Sequence, residues 1–497
     1  MLYVPKNEKL WDCWMYHRDG LFYLYYLRIS AKGSWWDGVS LAISKDLLHW
    51  DYVGPVVEKR DVAKWMGTGM VWKQGDRYLM NFSEEAPALQ QKIYFAESHD
   101  LISWHRLDGV CEPDGIHYLR DYAKSPNPYP RWDSLGVFET NVRPGMLHAF
   151  VTASVDQPEQ PARNGALGFL ESSDGLLWKS LPCPLEISSE YPNYEVPEYL
   201  ELNGRHYALF SSNSKAGIRF ENPTSAGPSG GTYYLVADAF DGPYRKPKAN
   251  NRLIGQSDVD NVTMNYVGRT LRWNGKILFY HIWGNQTVDG AFGTVKELVE
   301  TKPYVLRVRY LRANDGLKGR SLWNTDSMSY ALWKHHAVNP PIEWRLEESS
   351  VRFRNRGGSG AWIAPLRLTR TISDGRFAVA RVRVEEGIGA GLVFGDERRH
   401  YAAFLNFEAG RIEFGELVEG WEANLYLRPI LKMPWKLPYG RAVTLRIIQN
   451  GCFFEVYAND DYVMGIRLET ALTPTRFGLY AESADGGFSR IRVHSLR

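Results

Sequence analysis

Cysteine is scarce in this chain, with four residues in 497, and Cys13, Cys111, Cys183 and Cys452 are widely scattered. They form no Cys-x-x-Cys pair and lack the density of a disulfide scaffold, so a reducing compartment is expected. Long apolar runs are missing too. No stretch reaches transmembrane length, and Met1 to Leu10 carries charge and Pro5 where a secretory leader needs an apolar segment. A cytoplasmic protein without a membrane partner follows as the expectation. An excess of one charge is also lacking: 59 Lys and Arg stand against 57 Asp and Glu, for a net +2. The most basic segment, Leu306-Arg307-Val308-Arg309-Tyr310-Leu311-Arg312, alternates apolar and charged residues as a half-buried strand does. Nucleic acid is therefore excluded as an expected partner. What the chain has in quantity is aromatic residues, 14% with 18 Trp, which serve core packing or sugar stacking. Its length exceeds what one hydrophobic core usually supports, so two domains are expected.

A repeat sets the expected architecture. Ser44-Lys45-Asp46-Leu47-Leu48-His49-Trp50 recurs as Ser98-His99-Asp100-Leu101-Ile102-Ser103-Trp104 and as Ser172-Ser173-Asp174-Gly175-Leu176-Leu177-Trp178, with a weaker echo in Ala239-Phe240-Asp241-Gly242-Pro243-Tyr244. Each copy follows an apolar strand and reads as a tight turn with an outer aromatic plug. Upstream of each lies another strand introduced by Gly20, Gly75, Gly145 or Gly204, and a fifth such strand follows Gly275. Strands and corners repeating at this spacing, without helical segments between them, predict an all-β fold: a five-bladed β-propeller over 1–325. From about Asp326 the phrase disappears and strictly alternating strands take over, such as Phe377 to Val384, His400 to Phe407 and Val443 to Ile448. These predict a C-terminal β-sandwich over 326–497.

In a propeller the innermost strands line the central channel, so residues in the same phase on different blades converge at its mouth. Reading back from the glycine-led strands gives Asp12, Asp133 and Glu195 in one phase. Glycoside hydrolysis needs two carboxyl groups flanking the scissile bond, one protonated and one ionised. Crowding like charges in a partly desolvated funnel supplies that asymmetry. Taken singly, Asp12 and Asp133 read better as turn caps and Glu195 as an ion-pair partner; only the shared phase favours the catalytic reading. Glu198, three residues after Glu195 and beyond Pro197, stays open as the alternative on that blade.

These residues resemble glycoside hydrolase family 32, the invertases, levanases and inulinases, over nearly the whole chain. Trp65-Met66-Gly67-Thr68-Gly69-Met70-Val71 is similar to the family's Trp-Ser-Gly-Ser motif, and Glu195-Val196-Pro197 to its Glu-Cys-Pro motif. Leu445 to Asp460 follows its C-terminal pattern of a Leu-Arg strand, a turn and a Glu-Val-Phe-x-Asn-Asp strand. The resemblance implies Asp12 as nucleophile, Glu195 as general acid/base and Asp133 as the acid that binds sugar hydroxyls and stabilises the transition state. Two motifs depart from the family. Trp11-Asp12-Cys13-Trp14 stands where it has Asn-Asp-Pro-Asn-Gly, and Trp132 separates Arg131 from Asp133 where it has Arg-Asp-Pro. Arg120-Asp121 fits the latter motif better but sits farther from the following strand. Trp35, Trp36, Trp65 and Arg131 are candidates for substrate binding, the tryptophans equally for packing. His281 falls in the fifth blade with Asp258 and Asp260; it could hold an ion, but its apolar strand favours a core histidine, and no metal or cofactor is expected.

The function expected is retaining hydrolysis of β-fructofuranosides such as sucrose, fructo-oligosaccharides or fructans, the partner being an oligosaccharide or small glycoside. An inverting arabinofuranosidase or xylosidase on the same propeller is the alternative within enzymes. A carbohydrate-binding protein that has lost the chemistry is the alternative outside them, motivated by the altered motif around Asp12.

Overall fold

The computed structural model describes residues 3–33, 35–86, 90–120, 131–156, 164–186, 191–212, 230–255, 264–284, 290–324, 334–336, 342–354, 357–366, 375–419 and 425–497. Among these the backbone is almost entirely strand, and the one helical element given a range is the 3-10 turn Arg312–Leu317. No helix among them is long and apolar enough to cross a membrane. The four cysteines are free thiols. The chain divides into two compact units at Val308 and Arg309.

Hairpins organise the first unit. Asp19-Gly20, Asn203-Gly204 and Asn274-Gly275 each place both residues at positive φ, between 48° and 77°, which is the two-residue turn whose twist matches the flanking strands. Four separate four-stranded antiparallel sheets result. They open with Glu8–Arg18, Met66–Gln74, Asp133–Glu139 and Glu195–Leu202 respectively. Met264–Trp273, Lys276–Gly284, Ala291–Phe292 and Lys296–Lys302 continue the series, but they belong to a larger sheet in place of a fifth closed one. The cause is that strand pairing runs on past Lys296–Lys302 into Val305–Tyr310. The leading strands lie against one another in cyclic order, with Met264–Trp273 touching Glu8–Arg18, so the sheets form a propeller-like ring. The N-terminal segment ties the ends together, Tyr3 pairing with Phe292 and Leu10 with Gly290.

The repeated phrase works as a lock between sheets. In each copy the serine hydroxyl accepts the N–H three residues on at 2.9 Å, and the aspartate accepts the next two N–H groups at 2.7–2.9 Å. This forces the third residue into left-handed backbone: Leu47 and Leu101 at 65° and 68°, and Gly175, which adopts it without strain, at 77°. Each corner then docks on the preceding sheet. Trp50 meets Phe292 edge-on; Trp104 meets Tyr25, whose hydroxyl donates to Leu101 O at 2.6 Å; Gly175 lies against Trp72 and Leu79; Phe240 packs on His148 and Phe169.

The second unit is strand-rich and built on the long strands Arg376–Gly395 and Arg476–Leu496, which pair along most of their length. Ala378, Ala380, Val382 and Val384 are buried in the core while Arg381 and Arg383 face outward, as the alternation predicts. Further along, both faces are covered. Leu392, Phe394, Ala403 and Leu405 enter the main core, and Val393, Ala402 and Phe404 a second cluster with Tyr480.

The corner lock carries a pH signature. Burial pushes the Asp100 carboxyl up, but the N–H groups of Ser103 and Ile102 and the hydroxyls of Ser103 and Ser98 outweigh it and hold the pKa at about 2. A carboxylate with a depressed folded pKa contributes stability above its unfolded pKa, and that contribution is lost as pH falls through the folded value. Asp100→Ala should therefore cost about 1 kcal/mol at neutral pH. Its deficit in denaturation midpoint should shrink as pH falls from about 4 toward about 2.

Candidate active site

Every leading strand breaks its register near the same level of the ring. The shifts fall between Leu10 and Cys13, Met66 and Gly69, Asp133 and Leu135, Glu195 and Glu198, and Tyr266 and Arg269. Ser134, Val196 and Val267 follow Asp133, Glu195 and Tyr266 at φ 58°, 51° and 52°. Such bulges turn a side chain out of the strand's alternation and re-aim it. Here they bring Asp12, Asp133, Glu195 and Tyr266 into one cluster.

Asp133 is 5% exposed; its Oδ1 accepts Ser83 Oγ at 2.5 Å and its Oδ2 accepts Arg131 Nη2 at 2.7 Å. Glu195 is 8% exposed; its Oε1 accepts Arg131 Nη1 at 2.5 Å and Asn193 Nδ2 at 3.2 Å, and its Oε2 accepts the Tyr266 hydroxyl. Arg131 thus bridges two of the acids with one fork, while its Nε reaches Gln91 Oε1 at 3.2 Å. Asp12 differs from both. Its Oδ2 accepts Thr68 Oγ1 at 2.5 Å, but its Oδ1 is buried and accepts no hydrogen bond from a described residue. A buried carboxylate oxygen left without a donor calls for an explanation, and a functional role is one.

The Trp65 to Gly69 segment explains how the acids come together. Thr68 holds Asp12. Any side chain at position 67 would collide with Ser83 Oγ and the Asp133 carboxylate, and Gly69 offers its carbonyl to Arg269 Nη1 at 2.6 Å. Glu198, the alternative to Glu195, is occupied elsewhere. Its Oε1 accepts Arg269 Nε at 2.6 Å, and its Oε2 accepts Thr270 N at 2.8 Å and Thr270 Oγ1 at 3.1 Å.

The electrostatics single out Asp12. Desolvation comes first and Glu195 and Asp133 add to it, against the Thr68 hydrogen bond and the Arg269 charge, so that its pKa is pushed up to about 7. Burial, then the charge of Glu195 and the hydrogen bond to it, raise Tyr266 well above the usual phenol range, so it remains a donor. Arg131 stays cationic: burial opposes its charge, but Glu195 and Asp133 prevail.

The candidate tryptophans also cluster. Trp36 stacks on Trp11 at 6.4 Å and 25°, sits 4.8 Å from Trp35 and meets Trp65 edge-on at 5.8 Å. Trp35 is 43% exposed, and Trp36 Nε1 is buried without a hydrogen-bond partner among the described residues. Asp121, Asp258 and Asp260 lie outside the described residues. His281 is buried between Phe279 and Trp283, its Nδ1 3.1 Å from Ile282 O.

Sequence reasoning missed Tyr266 and Thr68. Tyr266 stands nine residues before Gly275, the same count that separates Glu195 from Gly204, so the phase that found the acids would have found it had the search not been confined to carboxylates.

Compared by sequence, the chain matches no protein-family model and no curated protein. Compared by structure, it is similar to a glycoside hydrolase family 32 β-fructofuranosidase from Bombyx mori at 13% identity and TM-score 0.67, over 99% of this chain and 92% of that one. It is similar to a sucrose-6-phosphate hydrolase from Lactobacillus gasseri at 13% identity and TM-score 0.66, over 98% and 91%. A fructan 1-exohydrolase IIa from Cichorium intybus matches at 12% identity and TM-score 0.64, over 100% and 96%. The likeness to these family 32 enzymes is one of fold, across nearly the whole chain.

The raised pKa of Asp12 predicts a stability effect. A carboxyl whose folded pKa is raised contributes stability that is complete below its unfolded pKa and lost as pH rises through the folded value. Asp12→Asn, which keeps an acceptor for Thr68, should match the native protein near pH 4. It should melt progressively higher than the native protein up to about pH 7, with the gap constant above that. A gap independent of pH would contradict the assignment.

Proposed function

We propose that the protein is a glycoside hydrolase that cleaves β-fructofuranosides of the sucrose, fructo-oligosaccharide or fructan type with retention of configuration. The observation that carries this reading is the single cluster made by Asp12, Asp133 and Glu195, in which Asp12 Oδ1 is buried without a hydrogen-bond donor among the described residues. The fold shared with family 32 enzymes supports the substrate class. Architecturally, we read Met264–Trp273 and the three strands after it as the fifth blade of a five-bladed propeller over 1–325, followed by a β-sandwich over 326–497. Four free thiols agree with a cytoplasmic setting.

In this mechanism Asp12 Oδ1 attacks the anomeric carbon of the fructosyl group as the glycosidic bond breaks, and Glu195 gives its proton to the departing oxygen. Glu195 then takes a proton from water, whose oxygen displaces Asp12 from the covalent intermediate. Asp133 binds sugar hydroxyls through contacts that strengthen in the transition state, and Arg131 holds Asp133 and Glu195 at fixed separation while contributing to substrate binding. The proton needed for acid chemistry belongs to the cluster, because full ionisation of adjacent buried carboxyls is opposed by their mutual repulsion. Trp35, Trp36 and Trp65 supply apolar faces for the sugar rings.

The test is turnover of sucrose, inulin, levan and aryl furanosides, with the anomeric form of the released sugar followed by NMR. Asp12→Ala should abolish turnover of all of them. Glu195→Ala should slow natural sugars by about 10²- to 10⁴-fold but spare aryl substrates, with azide rescuing the second step. Asp133→Ala should lose rate on both kinds. Inverted product would replace this reading with the inverting furanosidase or xylosidase, and sugar binding without turnover would replace it with the carbohydrate-binding protein.

A further inference from the structure

Arg269 and Glu198 form a buried ion pair to which the mechanism above assigns no role. Arg269 is 2% exposed and Glu198 6%. The guanidinium spans two sheets, donating to Glu198 Oε1 and to the carbonyl of Gly69, both at 2.6 Å. Glu198 closes the bulge that begins at Glu195, and Gly69 closes the bulge that carries Thr68. Arg269 itself closes the bulge that begins at Tyr266. One side chain therefore ties together the three backbone distortions that present Glu195, the hydrogen-bond donor of Asp12 and the hydrogen-bond donor of Glu195.

A buried ion pair is a poor device for stability, since desolvation offsets its attraction and an apolar pair of equal volume often serves better. Its worth lies in fixing geometry. Thr270 N and Oγ1 complete the cage around Glu198, so the carboxylate has no freedom to turn toward Glu195.

We propose that Arg269 and Glu198 are a positioning pair that holds the bulges under Glu195 and Thr68 in register and sets the charge felt by Asp12. The inference rests on reading Asp12 and Glu195 as the reacting carboxyls. The charged and titratable groups acting on Asp12 are Glu195, Asp133 and Arg269, and Asp12 in turn acts on Cys13 and Tyr266; Thr68 is its hydrogen-bond donor. Of these Arg269 is the cation, while Arg131 is committed to the two other acids.

Three variants separate geometry from charge. Arg269→Lys keeps the cation but cannot fork between Glu198 and Gly69, so kcat should fall by about 10²-fold with KM little changed, and Asp12 should titrate as before. Arg269→Met should lower kcat as much and also move the Asp12 titration up. Glu198→Gln leaves the guanidinium uncompensated and should move that titration down. The titration is read without turnover, as the pH at which the melting temperature of each variant departs from that of its Asp12→Asn counterpart. Shifts of opposite sign in Arg269→Met and Glu198→Gln would support the pair's role even if no fructoside were hydrolysed, in which case only the hydrolase reading fails. Unmoved titration together with native kcat in Glu198→Gln and Arg269→Lys would overturn the proposal. If Arg269→Met fails to fold because Glu198 is left unpaired, Glu198→Gln and Arg269→Lys still decide it.

Discussion

The bulge on each leading strand is the constraint on which the rest of the first unit depends. A bulge leaves backbone N–H and C=O groups without their ladder partners, and near the centre of a ring these must be satisfied by the neighbouring sheet. The structure does this at four of the five junctions of the ring. Asn81 exchanges two hydrogen bonds with Leu135, at 3.0 and 3.2 Å. Thr152 Oγ1 donates to Tyr194 O at 3.0 Å and accepts from Val196 N at 3.2 Å. Thr232 Oγ1 accepts from Gly268 N at 2.8 Å, and Tyr280 OH accepts from Met15 N at 2.9 Å. The same bonds that repair the strands fix the sheets relative to one another, so the acidic cluster and the ring are two results of one device.

This explains what could be read from the sequence and what could not. The corners were legible because a Ser-x-Asp turn has a local chemistry, side-chain oxygens capping nearby N–H groups, that leaves the same residues in each copy. The hairpins were legible from the glycines that introduce their second strands, such as Gly20, Gly204 and Gly275. The phase of Asp12, Asp133 and Glu195 was legible because turn spacing fixes distance along a strand. Bulges have no such signature: Trp11-Asp12, Gly67-Thr68, Val196-Pro197 and Val267-Gly268 have no residue type common to all four at either position, since what they share is a backbone shape answered by another sheet. For that reason Pro197 left Glu195 and Glu198 unresolved in sequence, whereas the fold turns them to different partners. The run of strand pairing past Lys296–Lys302 was illegible for a similar reason, because alternation in Leu306 to Arg312 marks a strand without naming its neighbour.

The corners and the bulges act at opposite edges of each sheet. At the rim, the aromatic or leucine plug of one sheet covers the preceding one, as when Trp104 and Leu101 seat against Tyr25. At the centre, polar side chains make the junctions. Apolar burial supplies the driving force for closure without specifying height along the channel, and the polar contacts specify height while adding little net energy. Together they make a ring that closes in one register, which a constellation of side chains drawn from separate sheets requires.

The charge balance of the pocket follows from that register. Four buried or half-buried carboxyls, Asp12, Asp133, Glu195 and Glu198, share two guanidiniums. Arg131 neutralises the demand of Asp133 and Glu195, and Arg269 that of Glu198, which leaves Asp12 with a neutral hydroxyl and no ion-pair partner among the described residues. Its carboxylate is thus the hardest of the four to keep ionised, burial together with the other acids raising its pKa to about 7. In a resting protein this is a cost. In the proposed reaction it is the point of the arrangement, because the transition state of glycoside cleavage carries positive charge on the sugar. The cation that Asp12 lacks is then supplied by the reacting substrate, so that the carboxylate is better matched to the transition state than to the ground state, which is the condition for accelerating the chemical step.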